Sequence, residues 1–201
     1  LELTMNPFSA HPSYAAIAKQ PLAERVAALR DPAFRGKLLS EEPASDNPFL
    51  KVMLRSFGKM FQLRDPVNYE PGPESTLEYM ANARGISPEE MALDLMLERD
   101  GHGVLYLPFL NYSQGSLEPI RAMMESPATL PGLSDGGAHV GMICDGSFTT
   151  TMLTHWARDR QRGPKLPIEY LVKRQTQDTA QWMGLHDRGV IAPGYRADLN
   201  V

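Results

Sequence analysis

Val104-Leu105-Tyr106-Leu107, a polar loop from Asn111 to Gly115, Ser116-Leu117-Glu118-Pro119 running on to about Glu125, and then Leu130-Pro131-Gly132-Leu133-Ser134-Asp135-Gly136-Gly137 form the stretch on which the fold turns. The first run is apolar and has the length of a buried parallel strand. Ser116 to Pro119 combines a cap residue, an acid and a first-turn proline, which starts a helix. The second run is a short strand that ends at Ser134-Asp135. Strand, loop, helix, strand is one βαβ unit. It implies an α/β fold with a parallel sheet or barrel.

Outward from this unit the helical signals are strong. Ser87-Pro88-Glu89-Glu90 places a cap, a proline and two acids at the positive end of a helix dipole. That helix runs to about Arg99, stops at Asp100-Gly101, and has Met91, Leu95 and Leu97 as its apolar side. A helix over 77–84 is closed by Gly85. Asp31-Pro32 and His11-Pro12 predict helices at about 32–41 and 12–30, the latter buried through Leu22, Val26 and Leu29. Residues 50–75 are dense in apolar side chains, and periodicity leaves strand and core helix both open. Glu70-Pro71-Gly72-Pro73 is a break. Helices follow at about 147–160 and 167–183, the second closed by Gly184, and then a turn and a strand over 188–201. No internal repeat occurs.

Composition narrows the function classes. The net charge of −4 offers no footprint for nucleic acid or an anionic membrane. No apolar run approaches the roughly 20 residues that span a bilayer. The single cysteine, Cys144, allows no internal disulfide. A cytoplasmic setting is the default, and Cys144 reads as a small buried residue. Leu1 to Thr4 and Arg196 to Val201 both look like parts of strands, so the expectation is a piece of a longer chain.

The sharpest chemical signal is Leu133-Ser134-Asp135-Gly136-Gly137-Ala138-His139. A carboxylate at the carboxyl end of a strand sits where parallel α/β folds place catalysis. The glycines allow a sharp turn and a close approach to a ligand. Asp135 there can bind a metal or take a proton from metal-bound water, while a plain Asp-Gly turn explains the same residues. His139 either contacts substrate or packs on the loop. Tyr106, Asn111 and Tyr112 belong to or follow the first strand and are candidates for substrate contact; core packing is the competing role for Tyr106. The histidines are sparse, with no His-x-His or His-x-x-x-His pair, so no complete metal site is visible. His155, beside Trp156, reads as a satisfied helix residue, His186 as solvent-facing in a turn, and His11 and His102 as structural.

Three pieces resemble a known family. They are the Leu133 to His139 segment, Gly146-Ser147-Phe148 with its following helix, and Gly189-Val190-Ile191-Ala192-Pro193-Gly194-Tyr195-Arg196-Ala197-Asp198-Leu199. Together they look like the end of amidohydrolase-superfamily proteins, in the N-acyl-D-amino-acid deacylase (D-aminoacylase) branch. The resemblance implies a (β/α)₈ metallo-dependent hydrolase barrel, helix-rich in this portion. Residues 1–184 would be its C-terminal part, with a helical insertion at about 12–100. Residues 185–201 would return to a small β-sandwich domain. About two of the eight strands would lie here. Zinc is implied, with ligands mostly upstream of this chain. Asp135 would orient the activated water, accept its proton and pass it to the leaving nitrogen, and could itself touch the metal. The implied substrate is a small linear amide. Cys144-Asp145 stands where the branch often has Pro-Arg, an arginine suited to a substrate carboxylate. A cyclic amide or carbamate substrate, or a non-catalytic barrel fragment used for binding or assembly, are the alternatives. The expected partners are the rest of the barrel and further copies of the chain.

Overall fold

The computed structural model describes residues 3–45, 47–108, 110–132, 136–137 and 145–199. The chain divides into two compact units, Leu1–Gly115 and Ser116–Val201.

The first unit begins with three short helices, α1 (Pro12–Ile17), α2 (Leu22–Arg30) and α3 (Pro32–Ser40). The single helix expected over 12–30 is thus two, because Pro21 cannot continue α1 and instead precedes the first turn of α2. Val26 and Leu29 are buried as their spacing predicts, with Leu22 half-buried. The ambiguous stretch after residue 48 holds both alternatives in succession: α4 (Pro48–Leu54), then strand β1 (Phe61–Leu63). Next come α5 (Leu77–Arg84) and α6 (Pro88–Gly101). Their starts are chemically explicit. Asp31 accepts the Phe34 N–H at 2.8 Å, Thr76 that of Tyr79 at 3.2 Å, and Ser87 that of Glu90 at 3.0 Å. Gly85 ends α5 at φ 68°, a left-handed cap.

Helix α6 is the centre of this unit. Beyond the Met91, Leu95 and Leu97 expected from the pattern, Ala92, Leu93 and Met96 are also buried. Its apolar face is wide, leaving the stripe of Glu90, Asp94 and Glu98 toward solvent, so α6 is largely enclosed by the core. Leu29, Leu38, Leu77 and Leu105 complete the core around it. At its end Arg99 and Asp100 are left-handed and the chain reverses through Gly101.

The reversal leads into β2 (Val104–Tyr106), within the run expected to be a strand. Its partner corrects the expectation of a parallel strand. β2 pairs antiparallel with β1, with Phe61 opposite Tyr106 and Leu63 opposite Val104. Only Leu105 is fully buried, with Val104 and Tyr106 half-buried. That alternation belongs to a ribbon with one covered face, not to a strand buried on both.

The second unit is helical among its described residues. It contains α7 (Glu118–Glu125), α8 (Phe148–Thr151), α9 (Ile168–Lys173) and α10 (Thr179–Trp182). α8 continues as a π-helical segment, Met152–Asp159, and α9 as another, Arg174–Asp178. The wider turn shows in Arg160, whose N–H donates to the His155 carbonyl at 2.8 Å. The Arg160 side chain, fully buried, stacks 4.7 Å over the Trp156 ring and donates to Glu118 at 2.7 Å and the Pro164 carbonyl at 2.8 Å. It ties α7 to the π segment. Residues 130–132 and 188–199 form no strand, so neither the second strand of the βαβ unit nor the return strand is present there; the ends of both, 133–135 and 200–201, lie outside the described residues. Leu3 and Thr4, expected to belong to a strand, form a turn. Among the described residues no helix is long and apolar enough to cross a membrane.

Candidate functional site

Asp135, His139 and Cys144 lie outside the described residues. Their flanks are informative. A Cβ built on Gly136 would stand 3.2 Å from the Gly146 Cα, so the backbone at 136 runs directly against the backbone at 146. Gly136 thus packs on another glycine, while a Cβ on Gly137 would meet nothing within 4 Å.

Tyr106, Asn111 and Tyr112 all lie in the first unit. Asn111 is exposed and left-handed at φ 62°, a conformation asparagine tolerates. Tyr106 and Tyr112 are brought together on one loop, residues 68–76. The Tyr106 hydroxyl donates to the Tyr69 carbonyl at 3.3 Å, and the buried Tyr112 hydroxyl donates to the Pro71 carbonyl at 2.6 Å. Their rings also meet edge-on, Tyr106 with Tyr69 and Tyr112 with Phe61, each pair with centroids 6.2 Å apart.

The same loop is pinned along its length. Asn68 Oδ1 accepts the Glu70 N–H at 2.9 Å, the Gly72 carbonyl accepts the Ser75 hydroxyl at 2.7 Å, and Thr76 bridges to Phe61. Between the two carbonyls held by tyrosines sits Glu70, only 2% exposed. A buried carboxylate on a loop held from both sides is a candidate functional group. In the sequence Glu70 is simply the first residue of a break, Glu70-Pro71-Gly72-Pro73. Proline and glycine dominate that stretch, and a loop carboxylate has no periodicity to betray its burial.

Replacing Tyr112 by Phe tests this arrangement. It removes the 2.6 Å bond from the Tyr112 hydroxyl to the Pro71 carbonyl, the net worth of which is about 1 kcal/mol. A lower denaturation midpoint in urea is the expected result. An unchanged midpoint would show that the hydroxyl does not hold the loop.

Among the described residues no three His, Cys, Asp or Glu side chains converge to hold a metal. His155 is buried in the π segment with its ring edge-on to Trp156, as expected of a packed helix residue, and His186 is exposed in a turn. Two surface clefts, one lined by Arg55, Lys59 and Glu78 and the other by Leu153, Arg158 and Lys165, include none of Tyr106, Asn111 and Tyr112.

Comparison with known proteins supplies the class. The model of the amidohydrolase family matches residues 1–201. The chain belongs to that family. It is 31% identical over 125 residues to an uncharacterized protein of Mycobacterium tuberculosis strain H37Rv, covering 61% of this chain and 20% of that protein. An uncharacterized Mycobacterium bovis protein matches to the same extent. A 5-methylthioadenosine/S-adenosylhomocysteine deaminase of Desulfitobacterium hafniense is 35% identical over 81 residues, covering 36% of this chain and 19% of the deaminase. The chain thus spans about a fifth of the length of the curated relatives it matches. No solved structure matches it.

Proposed function

We propose that the full-length protein hydrolyses a carbon–nitrogen bond, with a linear, N-acyl-amino-acid-like amide as substrate. The observation that carries this reading is the amidohydrolase family match over all 201 residues, joined to a carboxylate, Asp135, in Ser-Asp-Gly-Gly. In this reading Asp135 takes the proton of the attacking water and returns it to the leaving nitrogen. His139 supports the loop or the substrate. The metal of this reading is zinc, held mostly by residues outside this chain, with Asp135 placed to touch it. The barrel and β-sandwich architecture, the division at residue 184 and a cytoplasmic setting belong to the same reading.

Similarity to a deaminase favours a second reading, in which the nitrogen leaves as ammonia. Full-length protein assayed on N-acyl-D-amino acids, their L-isomers, a cyclic amide and an aminated purine nucleoside separates the two. New carboxylate without ammonia supports the amide reading. Ammonia from the nucleoside alone overturns it.

The exposed apolar residues support a partner. Trp182, Met183, Ile191 and Leu199 are 76, 64, 87 and 61% exposed, more than a self-sufficient surface usually shows in one segment. We place the rest of the same protein against them. Light scattering on the 201-residue chain alone should show association or aggregation. A stable, monodisperse monomer would refute this placement.

A further inference from the structure

His11 is a buried titratable group that the proposed chemistry does not use. It occupies the N-cap position of α1 without capping it. The residue is 6% exposed, and its Nδ1 is buried with no hydrogen-bond partner. The Phe8 ring packs against it with centroids 5.4 Å apart.

Residues Glu41–Ser45, after α3, have no regular structure of their own. They are fastened to the start of α1 on both sides of His11. The Ser13 N–H donates to one Glu41 carboxylate oxygen at 2.9 Å and the Ser13 hydroxyl to the other at 2.5 Å. The Ala44 N–H donates to the Ala10 carbonyl at 2.7 Å. Glu42 pairs with Arg55 at 2.9 Å, and Arg55 with Glu89 of α6 at 3.1 Å.

We propose that Glu41–Ser45 is a strap that closes on neutral His11 and is released when His11 takes up a proton. Protonation adds a charge and a second N–H to a ring that is withdrawn from the surface. The charged groups facing the ring are Glu41, Glu42 and Arg55. Both oxygens of Glu41 are already engaged by Ser13, and Glu42 is engaged by Arg55. The Phe8 carbonyl already accepts the His11 backbone N–H at 2.8 Å, so the buried charge draws on the strap carboxylates or on entering water, and either outcome loosens the bonds that hold the strap.

Electrostatics agree with this geometry. Burial holds the His11 pKa below its ordinary value of 6.5. It outweighs the Phe8 carbonyl, Glu41 and Glu42, which favour the protonated ring, while Arg55 opposes it. A depressed histidine pKa means that the neutral ring stabilises the closed strap fully above pH 6.5. That stabilisation is lost as pH falls through the folded value. Glu41 is held below the usual carboxylate range by Ser13, so it stays ionised across this window.

Hydrogen–deuterium exchange of the whole chain, corrected for intrinsic rates, tests the strap at the Ala44 and Ser13 amides. Their protection should fall between about pH 7.5 and about pH 5, on the order of tenfold for each unit separating the closed and open His11 pKa values. His11→Gln should abolish that pH dependence. Glu41→Gln should weaken protection at the higher pH yet keep the dependence. Retention of the wild-type dependence in His11→Gln overturns the proposal. If His11→Gln does not fold, ¹³C NMR of the wild-type imidazoles decides: protection must be lost at the pH where His11 titrates, and a different midpoint, or one at or above 6.5, refutes the strap.

Discussion

On the proposed hydrolysis, Asp135→Asn in the full-length protein should lower kcat by about 10² or more while leaving the melting temperature within error, the scale of losing a general acid–base group. Asparagine keeps the size and most of the hydrogen-bonding geometry of aspartate. It cannot accept a proton from the attacking water or return one to the leaving nitrogen. KM should change less than kcat, because the deficit is confined to the transition state. The assay is turnover of the N-acyl amino acids proposed as substrates, with circular dichroism as the control for folding. Wild-type kcat in Asp135→Asn would remove the carboxylate from the chemistry and return Leu133 to Gly137 to the status of an ordinary turn. A matched Gly136→Ala variant adds a structural check. Its new methyl would press on Gly146 at 3.2 Å, so it should reduce activity by shifting the loop base even with Asp135 present.

Gly103→Ala should be among the most damaging single substitutions in the first unit. An added Cβ would stand 1.8 Å from the Leu95 carbonyl oxygen and 2.9 Å from both the Leu95 carbonyl carbon and the Met96 Cα. The obstruction is the backbone of α6, which cannot rotate away as a side chain could. Leu95 and Met96 are themselves buried at 3 and 0% exposure, so α6 has nowhere to retreat. The expected loss is about 3 kcal/mol or more, the upper range of overpacking in a core. Gly36→Ala is the control. Gly36 is exposed within α3 with nothing within 4 Å of a Cβ, and alanine there should gain about 0.5–1 kcal/mol from helix propensity. Urea midpoints measure both. If the two variants behave alike, β2 does not return along α6 as described.

These cases show which features could be read locally. The starts of α3, α5 and α6 are legible because Asp31, Thr76 and Ser87 act on N–H groups three residues away. Pro21 was the missed punctuation, splitting a helix that periodicity alone made continuous. The run at Val104 was legible as a strand, but not its partner. β1 is about 40 residues earlier, and an apolar run carries no mark of the strand it will meet. The π-helical widening at Met152–Asp159 also left no trace in the spacing of apolar residues.

The candidate site divides along the same line. Tyr106 and Tyr112 stand out because they belong to or follow a strand, and the structure commits their hydroxyls to the carbonyls flanking Glu70. Nothing local to any of the three announces that clamp. It exists only once the reversal at Gly101 brings β2 beside β1 and the 68–76 loop.

The amino-acid sequence by itself determined the helix starts, the glycine stops and, through Asp135 and the Gly189 to Leu199 signature, membership of the amidohydrolase family. Those are short-range properties, fixed by a cap, a dihedral or a motif within a few residues. Tertiary structure alone decided that β2 pairs antiparallel, that Gly103 must lack a side chain, and that Glu70 and His11 are withdrawn from water. Burial and strand pairing are properties of what arrives from elsewhere in the chain. The same glutamate or histidine is an ordinary loop residue until other segments close over it.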